Sequence, residues 1–227
     1  MNLDLSRPWP ELPLCILDFE TTDVNPLECM PVQLAVVRYE GGKEVGAAST
    51  LLNPGCPIPE SAAAIHGKTD EMVTNALPAE SLVDVLASRD FLDLHEDALP
   101  CAYNEPYDRT ILHRFTAKRR NTWTIAALDQ WVDPLVIIRK IDRWVKGSGR
   151  HKLTATCERW RVRLDNAHDA LGDCRATGAL LFKLLAIGAV KPVPASKLLT
   201  YTATMRAWQH DDFQQYLKQV QAAEAGA

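Results

Sequence analysis

Apolar and β-branched residues cluster into three strand-like stretches near the start of the chain, over residues 12–20, 32–40 and 43–52. The segment "YEGGKE" sets Gly41 and Gly42 between the second and third, which predicts a hairpin turn. An antiparallel three-strand meander is therefore expected to open the fold. A loop dense in Pro and Gly, "NPGCPIPES", comes next, and "AAIHGKTDEM" leads into a helix starting after Thr69, with Asp70 and Glu71 in its first turn. Pro78 begins a further helical stretch, to about residue 88.

The short apolar run "ALPCAY" predicts another strand, followed by a helix with Pro106 in its first turn and Ile111, Leu112 and Phe115 along one stripe. Helical patterns then cover residues 134–145, 153–160 and 169–187, with "KGSGRHK" as the most flexible link among them. Beyond Lys191 the composition changes at "KPVPASK", and Met205, Trp208, Phe213, Tyr216, Leu217 and Val220 recur at mostly helical spacing. The chain thus divides into an N-terminal segment (residues 1–11), one domain (12–190) and a C-terminal helical extension (191–227). An amphipathic extension of this kind packs on its own domain or docks a partner.

Two acids stand at the end of the first strand. In "CILDFETTD", Asp18 and Glu20 follow a run suited to burial on both faces, where an unpaired carboxylate is costly. Residues i and i+2 of a strand share a face, so these two point together while Leu17 and Phe19 point into the opposite layer. A solvated strand end accounts for such a pair, and so does a bound cation. Oxygen-only donors select a hard ion such as Mg²⁺, which takes one or two carboxylates along with waters and phosphates.

Further acids stand in comparable places. Asp108 falls in the first turn of the helix after "ALPCAY", and "NAHDALGDCRATGALLF" contains His168 and Asp173. A five-residue offset puts two side chains roughly 140° apart on a regular helix. His168 and Asp173 can serve one site only if His168 precedes the helix, and Asn166 or Asp169 suits that boundary.

The formal net charge of −4 argues against a nucleic-acid partner until its distribution is considered. Residues 114–163 hold thirteen Lys or Arg and four acids, a net of +9, which leaves −13 for the rest. That stretch is a set of solvated helical faces or a local phosphate-binding surface. The six cysteines show no zinc-ligand spacing, and Cys15 and Cys101 sit in strand-like runs, as expected of reduced thiols in a cytoplasmic protein. The N-terminus lacks a basic start followed by an apolar core, and no apolar run approaches the roughly 20 residues of a membrane span. Neither secretion nor a membrane partner is expected.

Taken together, "DFETTD", "IHGKTDEMV", "AYNEPYDRTIL" and "HDALGD" resemble, in order and rough spacing, the motifs of the DEDD 3′-to-5′ exonucleases. The likeness is to the DnaQ-like DEDDh subgroup, which has a histidine in its last motif. Each motif alone is weak, but four in order are specific, and the resemblance spans residues 14–187. It implies an α/β, ribonuclease-H-like fold: a mixed sheet, with the antiparallel meander joined by parallel strands, flanked by helices. "KLTATCERW" is similar to the helix that usually precedes the last motif.

By that resemblance Asp18, Glu20, Asp108 and Asp173 are metal ligands and His168 is the general base. The cofactor implied is a pair of Mg²⁺ ions, with Mn²⁺ as the alternative. Asp18, Glu20 and Asp173 would hold the ion at the attacking water, and Asp18 with Asp108 the ion at the leaving 3′ oxygen. Thr21, Thr22, His66 and Asn104 are candidates for binding the 3′-terminal nucleotide. Three positions depart from the family pattern: Asp23 where Gly is usual, Lys68 where an apolar residue is commoner, and Glu105 where a small one is.

The expected activity is removal of nucleoside 5′-monophosphates from single-stranded or frayed 3′ ends, of DNA first. RNA 3′-end trimming or an oligoribonuclease-like activity is the alternative, since the catalytic acids do not read the 2′-hydroxyl. A non-catalytic binding module is a third reading, against which the five intact site residues argue. A polymerase or a second copy of this chain is the candidate partner for residues 191–227.

Overall fold

The computed structural model describes residues 3–117 and 130–225. Part of the basic stretch, residues 118–129, lies outside the described residues, as do the side chains of Tyr216, Leu217 and Val220. A five-stranded sheet forms the centre: β1 (Leu14–Thr21), β2 (Pro31–Glu40), β3 (Lys43–Asn53), β4 (Leu77–Pro78) and β5 (Leu99–Cys101), in the order β4-β3-β2-β1-β5. β1, β2 and β3 are the expected antiparallel meander, and β4 and β5 join its two edges in parallel to β3 and β1. The mixed sheet flanked by helices is the predicted architecture.

Between β3 and β4 the helices differ from expectation. A helix, α1 (Glu60–His66), already forms before Thr69, because the alanine-rich run continues until Gly67 takes a left-handed φ of 70° and its N–H closes on Ala63 O at 2.8 Å. The expected helix after Thr69 is only the short α2 (Asp70–Val73). The stretch after Pro78 divides into a 3-10 turn and α3 (Leu82–Ala87), and then α4 (Arg89–His95), which the sequence pattern did not reveal. α4 buries Phe91 and Leu94 against the sheet.

After β5 in the chain come α5 (Glu105–Thr116), α6 (Pro134–Ile141), α7 (Leu153–Trp160), α8 (Ala170–Ala186) and α9 (Ala195–Ala225). α6 stops four residues before the expected end at 145, at Asp142. The Asp142 carboxylate accepts from Arg159 Nε and Trp160 Nε1, both at 2.8 Å, which ties the end of α6 to the last turn of α7.

The sheet separates two apolar layers by the parity of its strand residues. Leu14 and Ile16 of β1, with Ala35 and Val37 of β2, face α8, α6 and the start of α9. Cys15, Leu17 and Phe19, with Leu34 and Val36, face α3, α4 and α5. α8 comes close to the sheet at Gly178, where an added Cβ would lie 2.6 Å from the Tyr39 ring and 2.8 Å from Ile16 Cδ1. That close approach brings the first turn of α8 over the end of β1.

The two terminal segments share this core. Trp9 is fully buried, donates its indole N–H to Lys191 O at 2.9 Å, and packs beside Phe182. Leu198 and Leu199 of α9 lie in the same apolar cluster, and Thr202 Oγ1 donates to Trp131 O at 2.9 Å.

Candidate active site

Asp18 and Glu20 have the same parity as Leu14 and Ile16, so β1 delivers them to the face crossed by α8. Asp173, in the first turn of α8, meets them there: carboxylate oxygens of Asp18, Glu20 and Asp173 all lie within 4.8 Å of one another. Asp108 arrives from the first turn of α5. It is 2% exposed, and its Oδ1 accepts from Phe19 N at 3.1 Å, which anchors the helix start to the strand between the two acids.

Burial and crowding act together on these groups. Burial, then the charges of Asp108, Asp173 and Glu20, raise the Asp18 carboxyl well above its usual range. Burial raises Asp108 as well, against the opposing pull of the Phe19 N–H. Glu20 is pushed up to about 7 by burial and by Asp173, and Asp173 to about 6 by burial and by Asp169. Ionising the whole cluster is costly, and a bound cation would offset that cost.

The donor set fits one. All the converging atoms are carboxylate oxygens, the chemistry of a hard divalent ion. Asp173 Oδ1 is buried with no hydrogen-bond partner, an acceptor left for something other than the protein. Asp18, Glu20 and Asp173 can therefore hold one ion together, and Asp108 borders the same space.

His168 lies ahead of α8, as the five-residue offset requires, in a turn where Asn166 and His168 both take left-handed φ values of 53° and 66°. The turn is held from two sides. On the helix side, an added Cβ at Gly172 would lie 2.3 Å from Asp165 O, so the first turn of α8 and the turn bearing His168 touch backbone to backbone. On the other side, Asp169 Oδ1 accepts from Lys68 Nζ and from Gln33 Nε2, each at 3.0 Å, while Gln33 Oε1 accepts from Ala170 N at 3.2 Å. His168 itself is exposed.

Lys68 is thus more than a departure from an apolar position. It is 9% exposed, donates also to His66 O at 3.1 Å, and its charge draws Glu20 and Asp173 downward against burial. In the sequence Lys68 stands out only as an exception to the family pattern, and Gln33 does not stand out among the site candidates. The signal for Gln33 was a lone amide inside the apolar run "PVQLAVV".

The remaining candidates divide. His66 is buried beside the site; its Nδ1 accepts from Lys68 N at 3.0 Å, and burial lowers its pKa, so the ring is neutral with the proton on Nε2. Asn104 is exposed with a left-handed φ of 70° and lines the same groove as His168 and Asp173. Thr21 shares a hydrogen bond with the Tyr107 hydroxyl and donates to Asp23 O at 2.9 Å. Thr22 is turned inward, its hydroxyl accepting from Met30 N at 3.0 Å. Thr22 is therefore spent on closing the loop after β1.

The other two departures also find partners. Asp23 does not use the left-handed geometry that would call for glycine; its Oδ1 accepts from Asn25 N at 2.8 Å, which turns the carboxylate into the loop. Glu105 is buried between two arginines, with Arg109 Nε at 2.6 Å and Arg206 Nε at 3.4 Å. Arg206 comes from α9 and pairs as well with Asp133, which caps α6 through Leu135 N at 2.8 Å and accepts from Asn104 N and Glu105 N. No local pattern announced that contact.

Comparisons with known proteins give the family and the fold. Residues 15–181 match the family model RNase_T, described as exonuclease. A DNA polymerase III subunit epsilon-like protein of Rhodobacter capsulatus is 32% identical over 181 residues, which cover 78% of this chain and 24% of that protein. The chain thus spans about a quarter of that relative's length. Among solved structures, exonuclease X in complex with 5′-overhanging duplex DNA superposes with a TM-score of 0.60 at 22% identity, covering 82% of this chain and 99% of that one. A 3′-exonuclease recognising the 3′ end of a histone mRNA stem-loop gives 0.63 at 16% identity, covering 83% and 68%. These two likenesses are of fold.

Proposed function

This chain belongs to the RNase_T exonuclease family, and on that premise we propose that it is a metal-dependent 3′-to-5′ exonuclease releasing nucleoside 5′-monophosphates from single-stranded or frayed DNA. The observation that carries this is the convergence of Asp18, Glu20 and Asp173 within 4.8 Å, beside buried Asp108 and exposed His168. DNA is placed ahead of RNA because the 32%-identical relative is named as polymerase III epsilon-like. A polymerase assembly is accordingly the proposed partner.

Asp18, Glu20, Asp108 and Asp173 would hold two divalent ions, Mg²⁺ or Mn²⁺, which activate water at neutral pH and neutralise charge developing on the phosphate. His168, exposed at the mouth of the groove, takes the proton from the attacking water, a role suited to an imidazole. Lys68, through Asp169, holds the turn that presents it. Asn104, which lines the groove, would bound the space for the terminal nucleotide, with His66 and Thr21, held by Tyr107, as the further candidates. The cysteines, all free, suit a reducing compartment such as the cytoplasm; no helix among the described residues is long and apolar enough to cross a membrane.

The test is hydrolysis of 5′-labelled single-stranded DNA and RNA with Mg²⁺, with Mn²⁺ or with chelator. A ladder shortening from the 3′ end, abolished by chelator and faster on DNA, is expected. Equal or greater rates on RNA would transfer the substrate assignment to RNA, and activity surviving chelation would overturn the metal-dependent account.

A further inference from the structure

α9 lies beyond the residues matched by the exonuclease family, yet it helps to build the groove in which His168 and Asp173 stand. It is fixed in place by polar contacts. Arg206 pairs with Asp133 and Glu105, and Gln209 Nε2 donates to Val136 O at 2.8 Å, seating α9 along α6. The opposite wall and floor come from α6 and the residues before α7. There Arg139, Lys140, Arg143, Lys146 and Lys152 are all exposed.

An aromatic surface stands among these cations. Trp208 of α9 is 52% exposed and lies in the groove, with Lys140 Nζ 5.4 Å from its ring centroid. A second tryptophan, Trp144, is 77% exposed, with the Arg143 guanidinium 4.5 Å from its ring centroid. Cations around the open Trp208 ring, in a groove that also contains Asp173, match the chemistry of a single-stranded polynucleotide: phosphates for the cations, a base face for the indole. An acidic peptide would satisfy the cations but leave the indole unexplained.

We propose that the groove between α9 and α6–α7 carries the strand upstream of the 3′ terminus, with Lys140, Arg143 and Lys146 against its backbone and Trp208 stacking on a base. This assigns α9 to the substrate, and it rests on the exonuclease reading. The strand's far end would stop short of Asp211 and Asp212 of α9, whose carboxylates line the groove and repel phosphates.

The experiment compares a substrate that fills only the terminal site, the p-nitrophenyl ester of thymidine 5′-monophosphate, with a single-stranded DNA of about 20 nucleotides. For Trp208→Ala, and separately for Lys140→Ala with Arg143→Ala, kcat/KM on the long strand is expected to fall about tenfold with the ester rate unchanged. The double variant should also lower the slope of log KM against log salt by about 1.4, two phosphate contacts' worth. An unchanged long-strand rate, or equal losses on both substrates, would overturn the groove assignment. If the wild-type protein hydrolyses neither substrate, the exonuclease reading has failed. In that event fluorescence anisotropy of the labelled strand on wild type and Trp208→Ala decides the groove: tighter binding by wild type supports it, equal binding overturns it.

Discussion

Lys68 Nζ lies 3.0 Å from Oδ1 of Asp169, the residue that follows His168 and precedes the helix bearing Asp173. One ion pair, 11% and 31% exposed on its two sides, thereby links the segment after α1 to the turn bearing His168 and the helix bearing Asp173. Breaking it should loosen the turn without unfolding the sheet. Lys68→Met and Asp169→Asn are each expected to lower kcat about tenfold with KM little changed, and the double variant to lose no more than either alone, a coupling of about 1.4 kcal/mol. Additive losses in that cycle would show that the pair does not act as a unit.

His168 is expected to matter for turnover alone. His168→Ala should lower kcat by about 100- to 10,000-fold, while the melting temperature stays at the wild-type value because the side chain is exposed. Isothermal titration with Mn²⁺ should give wild-type affinity. A variant with full turnover would remove His168 from proton transfer.

Gly172 places that turn by close contact. In Gly172→Ala the new methyl would meet Asp165 O and Asn166 O, 2.3 and 3.0 Å from the ideal Cβ, so the residues leading to His168 must move away. Displacement on the scale of an ångström costs about 100-fold in rate. Steady-state kinetics beside a thermal melt would check this, and an unchanged kcat would show that the turn has slack.

The carboxylate cluster predicts the pH dependence of the metal-free protein. Glu20 rises from 4.5 to about 7 on folding and Asp173 from 3.8 to about 6. The folded state therefore binds more protons than the unfolded one in that interval, and stability falls as pH rises from roughly 4 to about 7. Melting temperatures in chelator should decline over this window, and the still more strongly raised Asp18 and Asp108 extend the decline in the same direction. Glu20→Gln should reduce the decline and raise the melting temperature at pH 8, by about 1 to 3 kcal/mol in stability. Saturating Mg²⁺ should remove the decline in the wild type. A metal-free melting temperature that does not fall with pH would contradict the raised pKa values.

Local chemistry in the chain determined the meander, the parity that puts Asp18 and Glu20 on one face of β1, and the position of His168 ahead of a helix that starts near Asp169. Each depends on neighbours within a few residues: strand alternation, a Gly-Gly turn, the angular step of a helix. α1 and α4 were less legible, because short helices among Pro and Gly carry too few periodic positions to distinguish them from loops. Only the tertiary structure decided that Asp173 comes within 4.8 Å of Asp18 and Glu20, and that Lys68 and Gln33 hold Asp169. It likewise decided that Arg206 brings α9 back to the start of α5. These contacts join residues far apart in the chain, and they form because the close approach at Gly178 and the shared apolar core fix where each helix end lies. The sequence contains the groups; packing determines which of them meet.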